Sequence, residues 1–398
     1  MSNVVSERPA REGGTPVRET KLTVFASAIS EEAIHEVEAV LRSGWLATGP
    51  RVAAFETQFA RYVGVEHAVA VTSGTQALEL ALAGLGVGEG DEVITTPLTF
   101  VATAHAILNR GATPVLVDID ARNWTLDPAL LEAAITARTR CVLPVHFAGR
   151  PSEMGPLIGI ANRHGLPLLS DCAHAIETGY EGRNVGGYGV ANAYSFHPCK
   201  SVTTGEGGMV ATNDAALAER VRRRRFHGLV PAVPGSGWLR DVTGPGCKAN
   251  MSDLQAALGL HQLRTVEERH ARRCVLAERY REALQNSEAV ELPAPVPSSQ
   301  RHGWHLFNVL LVPERLRIDR RVLIEAMAAE HVEVAIHYRP LHCLTYLQDR
   351  LGVHEESCPV ATQVARRILS LPLHDAMSEA DVASVVTALG RVIGYYGC

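Results

Sequence analysis

Between residues 30 and 43, apolar side chains recur at Ile34, Val37, Val40 and Leu41, which line one face of a helix. Ser30 stands where it can cap that helix ahead of Glu31 and Glu32. A second helical pattern covers 52–63 and stops at Gly64. The period then changes. Ala68-Val69-Ala70-Val71 is a continuous apolar run of strand length, leading through Thr72-Ser73-Gly74-Thr75 into a helix expected over 76–85. Strand-like runs follow at 92–95, 115–118, 141–145, 167–170, 193–196 and 209–212, with helical patterns at 100–109, 128–137 and 154–164 between several of them. Continuous apolar strands alternating with helices predict an α/β fold, a three-layer α/β/α domain with a mostly parallel sheet. The last two runs are too close for a helical crossover, so part of the sheet is expected to be antiparallel.

Beyond Gly246 the pattern shifts to amphipathic helices expected over 252–268 and 270–284, then a Pro-rich connector at 292–297. A strand at 306–312 and helices at 320–330 and 379–392 complete what reads as a smaller α+β C-terminal domain. The expected division is a disordered leader over 1–22, a large domain over 23–262 and a small domain over 263–398.

With 398 residues, 46% of them hydrophobic and 20% charged, the chain has ample material for two soluble domains. A net charge of -5 gives no electrostatic footprint for nucleic acid. The one basic run, Arg220-Val221-Arg222-Arg223-Arg224-Arg225, falls in a helix-like stretch, where it reads as a solvated face or a subunit contact. The eight cysteines are scattered singly with no Cys-x-x-Cys pair, so neither a metal site nor a disulfide framework is expected. The polar N-terminus and the lack of a long apolar run predict a cytoplasmic protein with no membrane partner.

Ligands of open α/β sheets bind at the carboxyl ends of strands, so the polar residues that follow each apolar run carry the chemical interest. Lys200 ends the run that begins at Ala191 and precedes Ser201-Val202-Thr203-Thr204-Gly205-Glu206-Gly207-Gly208. It is either a reactive amine or a surface residue that merely ends a strand. Ser73-Gly74-Thr75 can hold a phosphate at the positive end of a helix or simply cap that helix. Asp171 can pair with a pyridinium nitrogen or act as an N-cap, and Phe100 can face a flat cofactor or the core. Ser195 alternates with Tyr194 and Phe196 and so faces away from them, where it suits a phosphate oxygen or a sheet hydrogen bond. Neither a Walker-type Gly-Lys-Ser/Thr nor a Gly-x-Gly-x-x-Gly between strand and helix is present, which weighs against nucleotide hydrolysis and dinucleotide redox chemistry. A phosphate cradle, a flat ring, a carboxylate and a lysine together form the set that pyridoxal 5'-phosphate requires.

These residues lie in segments that resemble the fold-type-I pyridoxal-phosphate enzymes and, within them, the StrS/DegT-type nucleotide-sugar aminotransferases. The matching segments include Gly44-Trp45-Leu46-Ala47-Thr48-Gly49-Pro50, Ser73-Gly74-Thr75-Gln76-Ala77-Leu78, Thr99-Phe100-Val101-Ala102-Thr103, Asp171-Cys172-Ala173-His174-Ala175, Ser195-Phe196-His197 with Lys200, and Gly205-Glu206-Gly207-Gly208. Trp304-His305-Leu306 and the stretch 337–342 extend the likeness through the C-terminal region.

The resemblance implies that Lys200 holds the cofactor covalently and shuttles the proton, while Asp171 pairs with the pyridine nitrogen. It implies that Phe100 stacks on the ring, that Gly74, Thr75 and Ser195 bind the phosphate, and that His174 lies near the ring hydroxyl. In the family a neighbouring subunit's loop completes the phosphate site; here it is Gly246-Cys247-Lys248-Ala249-Asn250-Met251, with Asn250 as the expected contact. Many relatives have Asn and Arg at the positions of Lys248 and Asn250, and a subset has this Lys and Asn. Thr48, His337 and His342 are the expected sugar contacts. Sugar dehydratases of this fold carry histidine in place of the lysine, so Lys200 favours amino transfer.

The implied activity is amino transfer from L-glutamate to a nucleotide-linked ketosugar, with a dTDP- or UDP-4-keto-6-deoxyhexose as the expected form, by a homodimer with shared active sites. The alternatives are a 3-ketosugar or keto-cyclitol substrate in antibiotic biosynthesis and, more remotely, a non-catalytic regulatory or binding protein that keeps the fold.

Overall fold

A computed structural model describes residues 8–398 apart from 234 and 236. Its main sheet is built from β1 (His67–Val71), β2 (Glu92–Thr95), β3 (Thr113–Leu116), β4 (Thr139–Leu143), β5 (Leu169–Asp171), β6 (Ala191–Ser195) and β7 (Gly208–Thr212). Parallel ladders join β3 to β2, β2 to β4 and β5 to β6, and parallel bridges at Val142 with Leu168 and Val145 with Asp171 link β4 to β5. The order across the sheet is therefore β3-β2-β4-β5-β6-β7-β1, with β7 antiparallel to both its neighbours. This is the mostly parallel sheet with an antiparallel part that the spacing of the last two runs implies.

Alternation along the strands buries both faces of the sheet. In β1, Ala68 and Ala70 join one core with Phe55, Phe59, Tyr194 and Phe196, while Val69 and Val71 join another with Leu78, Leu82 and Ile107. The first face is covered by α2 (Pro50–Val63), while α1 (Glu31–Ser43) packs on the helix Asp253–Arg264, and the second face is covered by α3 (Gly74–Gly84) and α4 (Ala102–Leu108), giving three layers. Ser30 caps α1 by accepting from Ala33 N at 3.3 Å, as its position suggests.

A separate antiparallel sheet follows, in the order β8 (Val290–Glu291), β9 (Phe307–Leu311), β10 (Ile368–Leu371). Its core gathers Phe307 and Leu369 with Tyr280, Leu323 and Leu389 from surrounding helices.

Several boundaries differ from the sequence expectation for local reasons. The long helices break at Thr265 rather than near 269, giving α5 (Asp253–Arg264) and α6 (Val266–Leu284), because Thr265 leaves helical geometry at φ -101° and ψ 5°. The pattern at 128–137 makes a single turn, Pro128–Leu131, tightens into a 3-10 turn, and ends where Ile135 becomes extended. A hairpin of Leu229–Pro231 with Arg240–Val242 carries no apolar alternation that would have announced it.

Of the expected leader, 1–7 lie outside the described residues, whereas 8–22 are packed rather than loose. The buried Glu330 carboxylate accepts from Ala10 N and Val17 N, both at 2.8 Å, and Arg18 pairs with Asp381 at 2.7 Å. The polar composition of 8–22 hides this, because the segment is held largely by hydrogen bonds, with Val17 and Leu22 packed into the C-terminal core. Among the described residues no helix is long and apolar enough to cross a membrane.

Candidate active site

The carboxyl ends of β5 and β6 open into a cavity of about 300 Å³. Gly74, Thr75, Phe100, Asp171 and His174 line it, as do Ser195, Lys200 and His337. The register explains the gathering. Asp171 pairs with Ala193 on the adjacent parallel strand, and Ser195 lies two residues on, about 7 Å along the strand at the usual rise. Ser195 in turn pairs with Gly208 of β7, and Gly208 pairs with Val71 at the end of β1, from which the chain turns into α3. Three neighbouring strands thus bring the start of α3 beside Ser195.

That approach is close. A Cβ on Gly74 would stand 2.8 Å from Ser195 Cβ, and one on Gly208 would stand 2.3 Å from Ser73 O. Ser73 caps the helix, its hydroxyl accepting from Gln76 N at 3.1 Å, so the capping reading of this tripeptide holds for Ser73. The N–H groups of Gly74 and Thr75 precede any intrahelical partner and stand at the positive end of the helix, and both residues line the cavity.

Asp171 is buried, with Oδ2 accepting from Thr103 Oγ1 at 2.8 Å and Oδ1 from Ala173 N at 3.0 Å. No helix follows it, so it makes a local turn rather than an N-cap. Burial pushes its pKa up, opposed by the Ala173 N–H, the Thr103 hydroxyl and the charge of Lys200. Enclosure of the Lys200 amine pushes its pKa down, opposed by Cys199 and Asp171. An amine and a carboxyl with pKa values displaced toward each other, lining one cavity, make it a candidate site for chemistry.

Phe100 is 57% exposed despite its place in the cavity wall, so its ring face is available to a flat ligand and is not core. His174 Nδ1 accepts from Ala148 N at 3.3 Å, which leaves Nε2 as the protonated nitrogen, 3.1 Å from Tyr338 Oη. Burial, then the charges of Lys200 and His337, hold His174 neutral.

Three expected residues do not line this cavity. Thr48 donates to Met251 O at 2.6 Å and accepts from Asn250 Nδ2 at 2.5 Å, and Asn250 accepts from Lys248 Nζ at 2.6 Å. These two therefore meet each other. His342 is fully buried, with Nε2 2.7 Å from Thr362 Oγ1, so its place is in the packing beside the site. Residues given no role in the sequence reading do enter the site, namely Tyr338, Cys199, Glu206 and Thr99. Thr103 supports it from behind, with its hydroxyl 2.9 Å from Thr99 Oγ1. The one sequence signal for Thr103 is its spacing four residues after Thr99.

The donor set fits pyridoxal phosphate. It offers a desolvated amine, a buried carboxylate, an exposed ring face and a helix N-terminus whose first residue has no Cβ. Fold and site together define a pyridoxal-phosphate-dependent transferase of the three-layer α/β/α type. More narrowly, the chain belongs to the DegT/DnrJ/EryC1/StrS aminotransferase family, whose sequence profile matches residues 27–390. It is 43% identical over 371 residues to the spore coat polysaccharide biosynthesis protein SpsC of Bacillus subtilis (strain 168), covering 92% of this chain and 95% of that protein. Among solved structures it is similar to the PLP form of Spr1654 from Streptococcus pneumoniae, described as a sugar aminotransferase. That match has 30% identity and a TM-score of 0.89, covering 94% of this chain and 99% of the other. It is similar too to DesI, solved in the presence of its TDP-sugar product, with 32% identity, a TM-score of 0.86 and 96% of each chain covered.

Proposed function

We propose that this sugar aminotransferase moves the amino group of L-glutamate to the ketone of a nucleotide-linked ketosugar, with a dTDP- or UDP-4-keto-6-deoxyhexose as the expected acceptor. The observation that carries the reading is the pairing of the enclosed Lys200 amine with the buried Asp171 carboxylate in one cavity. DesI with a TDP-sugar and SpsC in polysaccharide biosynthesis support a sugar acceptor carried on a nucleotide.

Pyridoxal phosphate, when bound, supplies an electron sink for the carbon that loses or gains a proton. Lys200 would hold it covalently and, once displaced, carry the proton between cofactor and substrate carbons, work suited to an amine whose pKa enclosure has lowered. Asp171, fixed by Thr103 and Ala173, would sustain positive charge on the ring nitrogen. Gly74, Thr75 and Ser195 would hold the phosphate, Phe100 would cover one ring face, and the neutral His174 would stand by the ring hydroxyl. His337 donates from Nδ1 to Ser370 Oγ, which donates on to Asn308 Oδ1, leaving Nε2 as an acceptor for a sugar hydroxyl. The Gly246–Met251 loop with Asn250, which does not line its own chain's cavity, would serve the site of a second copy in a homodimer.

The test is spectroscopic and then chemical. Purified protein with added cofactor should absorb in the visible, glutamate should bleach the band, and Lys200→Ala should abolish it. A protein that stays colourless with added cofactor would overturn the reading. Candidate 4-ketosugars, 3-ketosugars and keto-cyclitols assayed against the glutamate-loaded enzyme then identify the acceptor.

A further inference from the structure

Six residues beyond Asp171, on the segment that also presents His174, stands Glu177, whose side chain is fully buried. Its Oε1 accepts from Arg273 at 2.5 Å, and the Arg273 side chain is 4% exposed. Its Oε2 accepts from the hydroxyl of Ser201 at 3.1 Å. Ser201 is the residue after Lys200. Arg273 belongs to α6 and also donates to Gly303 O at 3.4 Å, and Gly303 N donates to Gly149 O at 2.7 Å. One carboxylate thus ties the lysine loop and α6 to the segment that carries Asp171 and His174.

A buried ion pair of this kind gains little net stability, because removing both charges from water offsets most of their attraction. Its remaining physical use is to fix one arrangement among several that would otherwise be close in energy. The loop that it holds is also anchored by the fully buried Val202 and by Lys200 N, which donates to His197 O at 2.8 Å. Ser201 is bonded through its hydroxyl to Glu177, while the return from Thr203 to Gly205 is held to Phe196 on the far side of Lys200. Without the Ser201 bond, the backbone around Lys200 keeps its packing but loses the contact that sets its distance from the Asp171 segment.

We infer that Glu177 is a positioning residue for the transfer reaction, acting through Ser201 to hold the Lys200 loop in register with Asp171 and His174, with Arg273 holding the carboxylate in place. This rests on the proposed role of Lys200. Glu177 does not line the cavity, so it acts on the reaction only through the loop.

The test uses the pyridoxal-phosphate-loaded enzyme with Ser201→Ala, Ser201→Thr, Glu177→Gln and the double variant Ser201→Ala/Glu177→Gln. Melting temperature, kcat, KM for glutamate and the pH midpoint of the visible band are measured for each. Ser201→Ala should lower kcat about tenfold with KM for glutamate little changed, the signature of lost alignment rather than lost binding. It should also move the pH midpoint of the band, while Ser201→Thr, which keeps the hydroxyl, restores both. The double variant should be no slower than the slower single variant, since both remove one tether. Wild-type kcat and midpoint in Ser201→Ala, whatever its melting temperature, would overturn the inference, as would additive losses in the double variant. If Glu177→Gln does not fold, the Ser201 variants decide alone. A wild-type protein without a visible band would count against the proposed function instead.

Discussion

Thr103 tests whether the Asp171 carboxylate is held as the structure describes. Its hydroxyl is one of two donors to that carboxylate and is in turn 2.9 Å from Thr99 Oγ1. Thr103→Val keeps the shape and removes the donor. A hydrogen bond to a charged group contributes about 1.5–3 kcal/mol. Its loss should raise the folded pKa of Asp171 further. Burial already places that pKa above its ordinary value. A carboxyl raised in this way contributes its stability below the unfolded pKa, about 3.9, and loses it as pH rises through the folded value. The variant should therefore show its extra deficit at neutral pH, on the order of 1.5–3 kcal/mol, and the deficit should shrink as pH falls. Thr99 also loses a partner, which adds a loss independent of pH. The assay is urea unfolding of cofactor-stripped protein from about pH 8 down to the unfolded carboxylate pKa of about 3.9, comparing wild type with variant at each step. A deficit of constant size across that range would show that only packing was lost and would refute the account of Asp171.

Gly74→Ala places a methyl 2.8 Å from Ser195 Cβ at the mouth of the proposed phosphate cradle. With overpacking at about 1–3 kcal/mol, affinity for pyridoxal phosphate should fall about tenfold or more, read by absorbance titration, and unchanged affinity would deny the cradle its role. Asp253 is buried and accepts from Gly49 N at 2.8 Å, Val52 N at 3.0 Å and Arg51 N at 3.1 Å, so it caps α2 from another helix. Asp253→Ala should lower the urea-derived stability by about 2–3 kcal/mol, with Asp253→Asn losing less, and equal losses for the two would point to a shape effect.

Much of the main sheet is legible from short apolar runs bounded by Gly, Ser and Thr, because strands buried on both faces need continuous apolar residues. Lys200, Asp171, Phe100 and the Gly74 turn are legible for a related reason, since each follows such a run and the carboxyl ends of neighbouring strands open together. Strand ends are less so. The strand expected at 115–118 runs from Thr113 to Leu116, because Pro114 is tolerated on an edge strand whose apolar pattern continues past the last ladder bond. Tyr338 reaches His174 and Thr103 reaches Asp171 across long stretches of chain, contacts that no local pattern encodes even where the residues fall in matching segments. The packing of 8–22 is hidden likewise, because the anchoring Glu330 lies over 300 residues away.

The cavity wall is divided between two sources. Gly74, Asp171, Ser195 and Lys200 are strung on the ends of the main sheet, whereas His337 and Tyr338 come from the connection between two helices, Arg320–Ala329 and Thr345–Leu351. Of the groups proposed to run the cofactor's chemistry, Asp171 and Ser195 sit on hydrogen-bonded strands and Gly74 and Lys200 on the segments that follow such strands, so a change in one register would disturb all of them. Those nearest the proposed acceptor sit on connecting backbone tied to β10 by a bridge between Ala335 and Ser370, past which length and side chain can vary without touching a ladder. The division is a route to divergence, in which one chemical engine can be passed among acceptors of different shape by redrawing a single loop.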